Sequence, residues 1–233
     1  MEDSLCSNTF INDLDFNVRK KLLKYCEWTE LAEKKIISNP NQVIEHIYFP
    51  SGALISVMLQ QKEDKALELG LIGEEGLLGI EPILGVYKSP FDATVHTQGL
   101  ALKISTLHLL KLMDSHQNLK TRLFLYVAVL NNQLAQAAIC NRFHLVDQRL
   151  AKLLLMLQNR LHSSKFMITQ DLLAVMLGVR RVGVTKAASL FQKQNIVHYS
   201  RGRIEILNVI ALEKIACSCY AIDKSTYQSI MHF

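Results

Sequence analysis

Residues 169–194 read TQDLLAVMLGVRRVGVTKAASLFQKQ, and this stretch leaves the chain around it few folds to choose from. Thr169 stands just before an apolar-periodic run, where its side-chain oxygen can accept from an unpaired amide of a first helical turn. Leu173, Ala174 and Leu177 fall on one face of that helix. Gly178 permits a tight reversal, and the small Ala174 lets a second helix cross closely. That second helix places Val184, Ala187, Ala188 and Phe191 on one face, and Arg181, Val182, Thr185 and Lys186 on the other.

Its start is electrostatically awkward. Arg180 and Arg181 sit where the helix macrodipole disfavours cations, so an anion is expected to compensate. Two β-rich runs follow, NIVHYS and RIEIL, joined across Ser200, Arg201 and Gly202. Helix, tight turn, helix and basic hairpin make a winged helix-turn-helix, whose second helix enters the DNA major groove. An arginine there can reach guanine O6 and N7 bidentately, and a small apolar side chain can meet a thymine methyl. Arg201 and Arg203, on the hairpin, fit contacts to the sugar-phosphate backbone. A structural helix pair explains the periodicity equally well, but not four basic side chains (Arg180, Arg181, Arg201, Arg203) at the two points such a fold offers to DNA.

The charge along the whole chain bears on this choice. Residues 1–141 carry 13 Lys and Arg against 16 Asp and Glu, whereas residues 142–233 carry 13 against 5. Basicity confined to one part suggests a polyanion partner for that part alone; a solvated basic face would give the same count. We place a domain boundary at 141/142, where NRFHLVD also interrupts the helical pattern before QRLAKLLLMLQNRL resumes it.

Upstream, FINDLDFNVRKKLLKYCEW reads as one amphipathic helix burying Phe16, Leu22, Leu23 and Trp28. From residue 43 the period changes. VIEHIYFPSGALISVMLQ gives two strands parted by Pro50, Ser51 and Gly52, ALELGLIGEEGLLGI is punctuated by glycines, and ATVHTQGLALKIS reads as a hairpin turning near Gln98 and Gly99. An all-β sandwich or barrel over roughly 40–105 is expected. A helix over about 115–140 follows, with Asp114 or Ser115 as its cap. Leu123, Val127, Leu130, Leu134 and Ala137 recur at alternating intervals of four and three, the spacing of a dimer seam; a helix lying on its own β-domain gives a similar stripe.

Apolar residues at 49% against 20% charged provide a sizeable core. The longest run without a polar side chain is LFLYVAVL, and the first ten residues do not resemble a signal peptide, so no membrane association and a cytoplasmic location are expected. The five cysteines (6, 26, 140, 217, 219) lack a disulfide framework. Cys217 and Cys219 read as helix residues with no second pair or histidine nearby, so neither a metal nor a cofactor is expected. No nucleophile elbow, P-loop, HExxH or kinase signature is present, and Glu74 and Glu75 read as a solvated turn, so an enzyme is not expected.

TQDLLAVMLGVRRVGVTKA and YSRGRIEI, and more loosely GLIGEEGLLGIEPILG, resemble the Crp/Fnr superfamily of bacterial regulators over nearly the whole chain. The resemblance implies an α+β fold: an N-terminal cyclic-nucleotide-binding-like β-roll with a long dimerisation helix, then a C-terminal winged helix-turn-helix. It implies a homodimer on a pseudo-palindromic double-stranded DNA site, with RNA polymerase as a further partner. Arg181, Val182 and Lys186 fall at the family's base-reading positions, Thr169 and Gln170 at backbone-contacting ones. Val182 departs from the acidic residue often found there, so the recognition sequence does not carry over.

The sensor half departs further. Glu81 is a possible counterpart of the carboxylate that faces the ribose in cyclic-nucleotide binders. Where their phosphate-binding arginine belongs, this chain has Phe91 or Asp92, and no Lys or Arg lies between 89 and 102. Weak or no cyclic-nucleotide binding follows. Cys6 and Cys26, with nineteen residues between them, do not match the iron–sulfur cluster of the oxygen-sensing branch, and His96 is the histidine best placed for haem. The leading expectation is a DNA-binding regulator gated by an unidentified effector; a small-molecule or partner-binding module that no longer binds DNA specifically is the alternative.

Overall fold

Two stretches of chain, residues 6–61 and 65–231, are described by the structure, a computed structural model. They divide into two units: residues up to Leu59 with Gly70–Leu130, and Gln60–Leu69 with the residues from Asn131 onward.

The first unit begins with two short helices, α1 (Thr9–Asn12) and α2 (Phe16–Leu23), capped by the side chains of Asn8 and Asp15. Asn8 is buried, and its amide also donates to the carbonyls of Pro50 (3.0 Å) and Gly76 (2.9 Å), which pins the segment to the sheets. The single helix expected across 10–28 is therefore wrong. Leu22 is buried, but Phe16 is exposed and Trp28 lies on a strand, β1 (Cys26–Leu31). The helical stripe ends at Leu23, and the alternation from Cys26 belongs to a sheet edge.

Strands β2 (Ile36–Ser38), β3 (His46–Ser51), β4 (Leu54–Gln61), β5 (Lys65–Ile72), β6 (Asp92–Thr97) and β7 (Gly99–Ser105) follow, the end of β4 and the start of β5 within Gln60–Leu69 counting with the second unit. They form two sheets, ordered β1-β7-β3 and β2-β6-β4-β5. Leu31 and Ala101 from one sheet and Ile55, Ile72, Ala93 and Val95 from the other share one core cluster, so the sheets pack face to face. This is the expected roll, with a correction. β6 and β7 do not form a hairpin: β6 pairs with β2 and β4, and β7 with β1 and β3, so the turn at Gln98 carries the chain from one sheet to the other.

Helix α3 (Thr106–Ser115), capped by Ser105, precedes the long helix α4 (Gln117–Phe143). Asp114 and Ser115 thus end one helix rather than cap the next, and the Ser115 hydroxyl donates back to the Lys111 carbonyl at 2.9 Å. α4 is long and apolar enough to span a bilayer by length and composition alone. Its apolar residues, however, serve two faces. Leu119, Leu123, Tyr126 and Val129 are buried; the Tyr126 hydroxyl accepts from the Leu77 amide (3.2 Å), and its ring meets Phe10 edge-on. Phe124 and Leu134 are exposed and Val127 half-exposed. Leu123 is thus a core residue of its own chain and not a seam residue. The open stripe keeps Val127, Leu130 and Ala137, all half-exposed, and the exposed Leu134, with Phe124, Asn131 and Ala138 exposed beside them.

The second unit contains the carboxy end of α4, α5 (Val146–Leu161), β8 (Lys165–Met167), α6 (Gln170–Leu177), α7 (Arg181–Lys193), β9 (Val197–Ser200), β10 (Arg203–Ile206), α8 (Val209–Ile215) and α9 (Cys219–Met231). Its sheet is ordered β8-β10-β9. The third strand, β8, was not apparent in the sequence, where FMI reads only as an apolar lead-in.

Candidate nucleic-acid interface

Each half of the helix pair is fixed by the residues expected to fix it. The Thr169 hydroxyl oxygen accepts from the Leu172 amide at 3.2 Å, capping α6. Gly178 follows α6 in the left-handed region (φ 61°), and its amide and that of Val179 return to the carbonyls of Val175 and Ala174, each at 3.0 Å. Val184, Ala187, Ala188 and Phe191 are all buried on α7.

One clamp was not foreseen. Arg149 on α5 is buried and donates both to the Asn141 side chain at 2.5 Å and to the Leu177 carbonyl. That carbonyl belongs to the last turn of α6 and has no partner within the helix, so a charge-assisted bond holds the turn against α5. An arginine in QRLAKLLL looks like a surface charge in the sequence, because a heptad pattern does not say which neighbour has a free carbonyl.

The outward face carries the expected cations. Arg180 is the N-cap residue of α7, Arg181 its first residue, and both are exposed, as are Val182 and Lys186. The charge at the helix start already has an internal partner: Arg181 Nε lies 3.4 Å from Asp171 Oδ1, in the first turn of α6. Both side chains are about two-thirds exposed, so this pair is weak and easily exchanged. Thr185 differs from its expected outward role. It is half-buried and donates to Gln170 Oε1 at 2.6 Å, so these two side chains bridge the helices.

The wing is a tight turn. Arg201 (φ 49°) and Gly202 (φ 78°) both have positive φ, the two-residue geometry whose twist suits antiparallel strands. Arg201 and Arg203 are exposed on it. Two hydrogen bonds tie the wing to the start of α6: the Ile168 amide donates to the Gly202 carbonyl at 2.7 Å, and the Tyr199 hydroxyl donates to the Ile168 carbonyl at 2.8 Å. Burial raises the Tyr199 phenol above its ordinary value, so it stays a neutral donor at physiological pH.

In the β-roll, a cavity of about 90 Å³ is lined by residues that include His46, Tyr48, Leu78, Gly79, Glu81 and Phe91, and among the described residues none that line it is Lys or Arg. Glu81 Oε2 is buried there without a hydrogen-bond partner, and burial lifts its carboxyl above the usual range. Asp92 Oδ2, close by in sequence, is likewise buried and unpartnered. His96 uses Nδ1 on the Thr97 hydroxyl (3.0 Å), and burial lowers its basicity. Cys26 is pushed up to about 12, first by burial and then by the charge of Cys6.

A β-roll, a long helix and a winged helix-turn-helix follow one another in this chain. Residues 148–215 match the Crp-like helix-turn-helix domain family. Solved structures show the same fold over most of the chain. FixK2 from Bradyrhizobium japonicum has a TM-score of 0.73 at 13% identity, over 82% of this chain and 98% of its own. A CRP-family transcriptional regulator from Thermus thermophilus has 0.69 at 16%, over 81% and 96%. The c-di-GMP-responsive global regulator CLP of Xanthomonas campestris has 0.67 at 15%, over 82% and 99%. No curated protein matches the sequence. The chain shares the fold of these regulators, and its residues 148–215 are similar to the Crp-like helix-turn-helix domain family.

Proposed function

We propose that the protein is a homodimeric, sequence-specific DNA-binding transcription regulator acting in the cytoplasm on pseudo-palindromic sites. The observation that carries this reading is the row of exposed cations, Arg180, Arg181, Lys186, Arg201 and Arg203, on a helix-turn-helix and wing whose second helix buries Val184, Ala187, Ala188 and Phe191 on its opposite face. Arg181, Val182 and Lys186 read base edges; Thr169, Arg180, Arg201 and Arg203 hold phosphates; Gln170 and Thr185 fix the helices between them. The open stripe on α4, Phe124 to Ala138, supports pairing with a second copy, which sets two recognition helices about 34 Å apart in successive major grooves. The bound dimer then presents a surface to RNA polymerase.

Gating belongs to the β-roll. Its described lining offers the buried Glu81 carboxyl and no Lys or Arg, which disfavours an anionic nucleotide and suits a neutral or cationic effector. Selection of bound sequences from random DNA by the purified, ligand-free protein tests the whole reading. Enrichment of a two-fold related motif is expected. Absence of any enriched motif, with a flat dependence of log affinity on log salt, would replace it by a binding module without DNA specificity.

A further inference from the structure

Cys140 and His144 lie one helical turn apart at the carboxy end of α4, on one face, and the His144 amide still donates to the Cys140 carbonyl at 3.2 Å. Cys217 lies in the bend after α8, and Cys219 opens α9. The sequence reading of both as helix residues without a partner therefore fails for Cys217 and misses the neighbours of each. Cys140 Sγ is 3.5 Å from Cys217 Sγ, and Cys219 Sγ is 3.5 Å from His144 Nδ1. All four ligand atoms lie within 4.8 Å of one another.

We propose that Cys140, His144, Cys217 and Cys219 form a tetrahedral zinc site. Zinc holds thiolates at about 2.3 Å and imidazole at about 2.0 Å, which puts ligand–ligand edges at about 3.5 to 3.8 Å. Two edges already have that length, and the widest closes with a shift of about 1 Å. The donor set, three sulfurs and one nitrogen, suits a closed structural site. Simple packing of small apolar side chains would also bury cysteines. Here, however, the three buried thiols form a core cluster of their own instead of dispersing among the leucines, and an imidazole nitrogen points at one of them.

Charge and access agree. Three thiolates, one imidazole and zinc carry a net charge of only about −1, which a buried closed site can hold. An opening lined by Ala216, Cys217, Ser218 and Tyr220 gives the ion a way in. The metal staples the start of α9 and the bend before it to the last turn of α4. Metal content is read without DNA, so the outcome is independent of the regulator reading.

The experiment is metal analysis of the full-length protein purified from zinc-replete medium under thiol-protecting conditions, followed by replacement of zinc with cobalt(II). One zinc per chain is expected, and cobalt should show the strong visible bands and sulfur charge-transfer absorption of a tetrahedral thiolate site. Cys219→Ser and His144→Ala should lose the zinc, and Cys26→Ser should keep it. Should the variants fail to fold, titration of the stripped wild-type chain against a chromophoric chelator still decides, with a one-to-one endpoint expected. Reduced protein that takes up no zinc, or a Cys140–Cys217 disulfide as the ground state in thiol-trapped material, would overturn the site.

Discussion

At the scale of single residues, Arg181 and Arg201 carry like charge in unlike settings. Arg181→Ala should cost about 1 to 3 kcal/mol on the cognate site and relax specificity at one base pair, whereas Arg201→Ala should weaken all sequences alike and reduce the salt slope by about 1. Binding isotherms on cognate and random duplexes at several salt concentrations separate them; equal losses on both duplexes for Arg181→Ala would remove its base-reading role. Glu81 makes a pH-dependent prediction. Its folded-state pKa is raised, so the folded protein holds this proton more tightly than the unfolded chain does, and the buried charge becomes a penalty as pH rises through that value. Glu81→Gln should therefore raise the thermal midpoint at pH 7, with the gain vanishing as pH falls toward the ordinary glutamate value of about 4.3. A gain that is the same at both ends of the range would show that the carboxylate is not the cause.

At the scale of elements, α4 separates two kinds of leucine that a spacing rule treats alike. Leu134→Glu should convert a dimer to monomers in sedimentation with its helix content intact, because that side chain is exposed on the open stripe. Leu123→Ala should instead lower stability by about 2 to 5 kcal/mol, as for other large-to-small changes in a core. Chemical denaturation of the two variants checks the contrast. The same element shows what could be read without a structure. The helix-turn-helix was legible because its determinants are local: a cap at Thr169, a reversal at Gly178, four buried residues at helical spacing. The pairing of β6 and β7 was not, because strand partners are chosen by sheet packing and not by the nearest turn. Trp28 was absorbed into a helix because its apolar spacing continues that of Leu22 and Leu23. The cysteine–histidine group was invisible because Cys140 and Cys217 are 77 positions apart, and only the fold of α5 through α9 brings them together.

For the molecule as a whole, the β-roll cavity and the helix-turn-helix domain differ in charge. Calorimetric titration with cyclic nucleotides should give no submicromolar affinity, since the described lining of the cavity has no Lys or Arg to meet the phosphate and holds the buried Glu81 carboxyl; tight binding would require the cavity to rearrange. On the DNA side, the hydrogen bond from Ile168 to Gly202 ties the two points proposed to contact phosphate, the start of α6 and the wing, into one jaw. A jaw of set opening gauges the duplex it closes on. Sites whose backbones already lie at its span bind without being bent, and others must deform to fit. Preference is therefore expected at base pairs that no side chain reaches, so part of this protein's recognition sequence is a measurement of width.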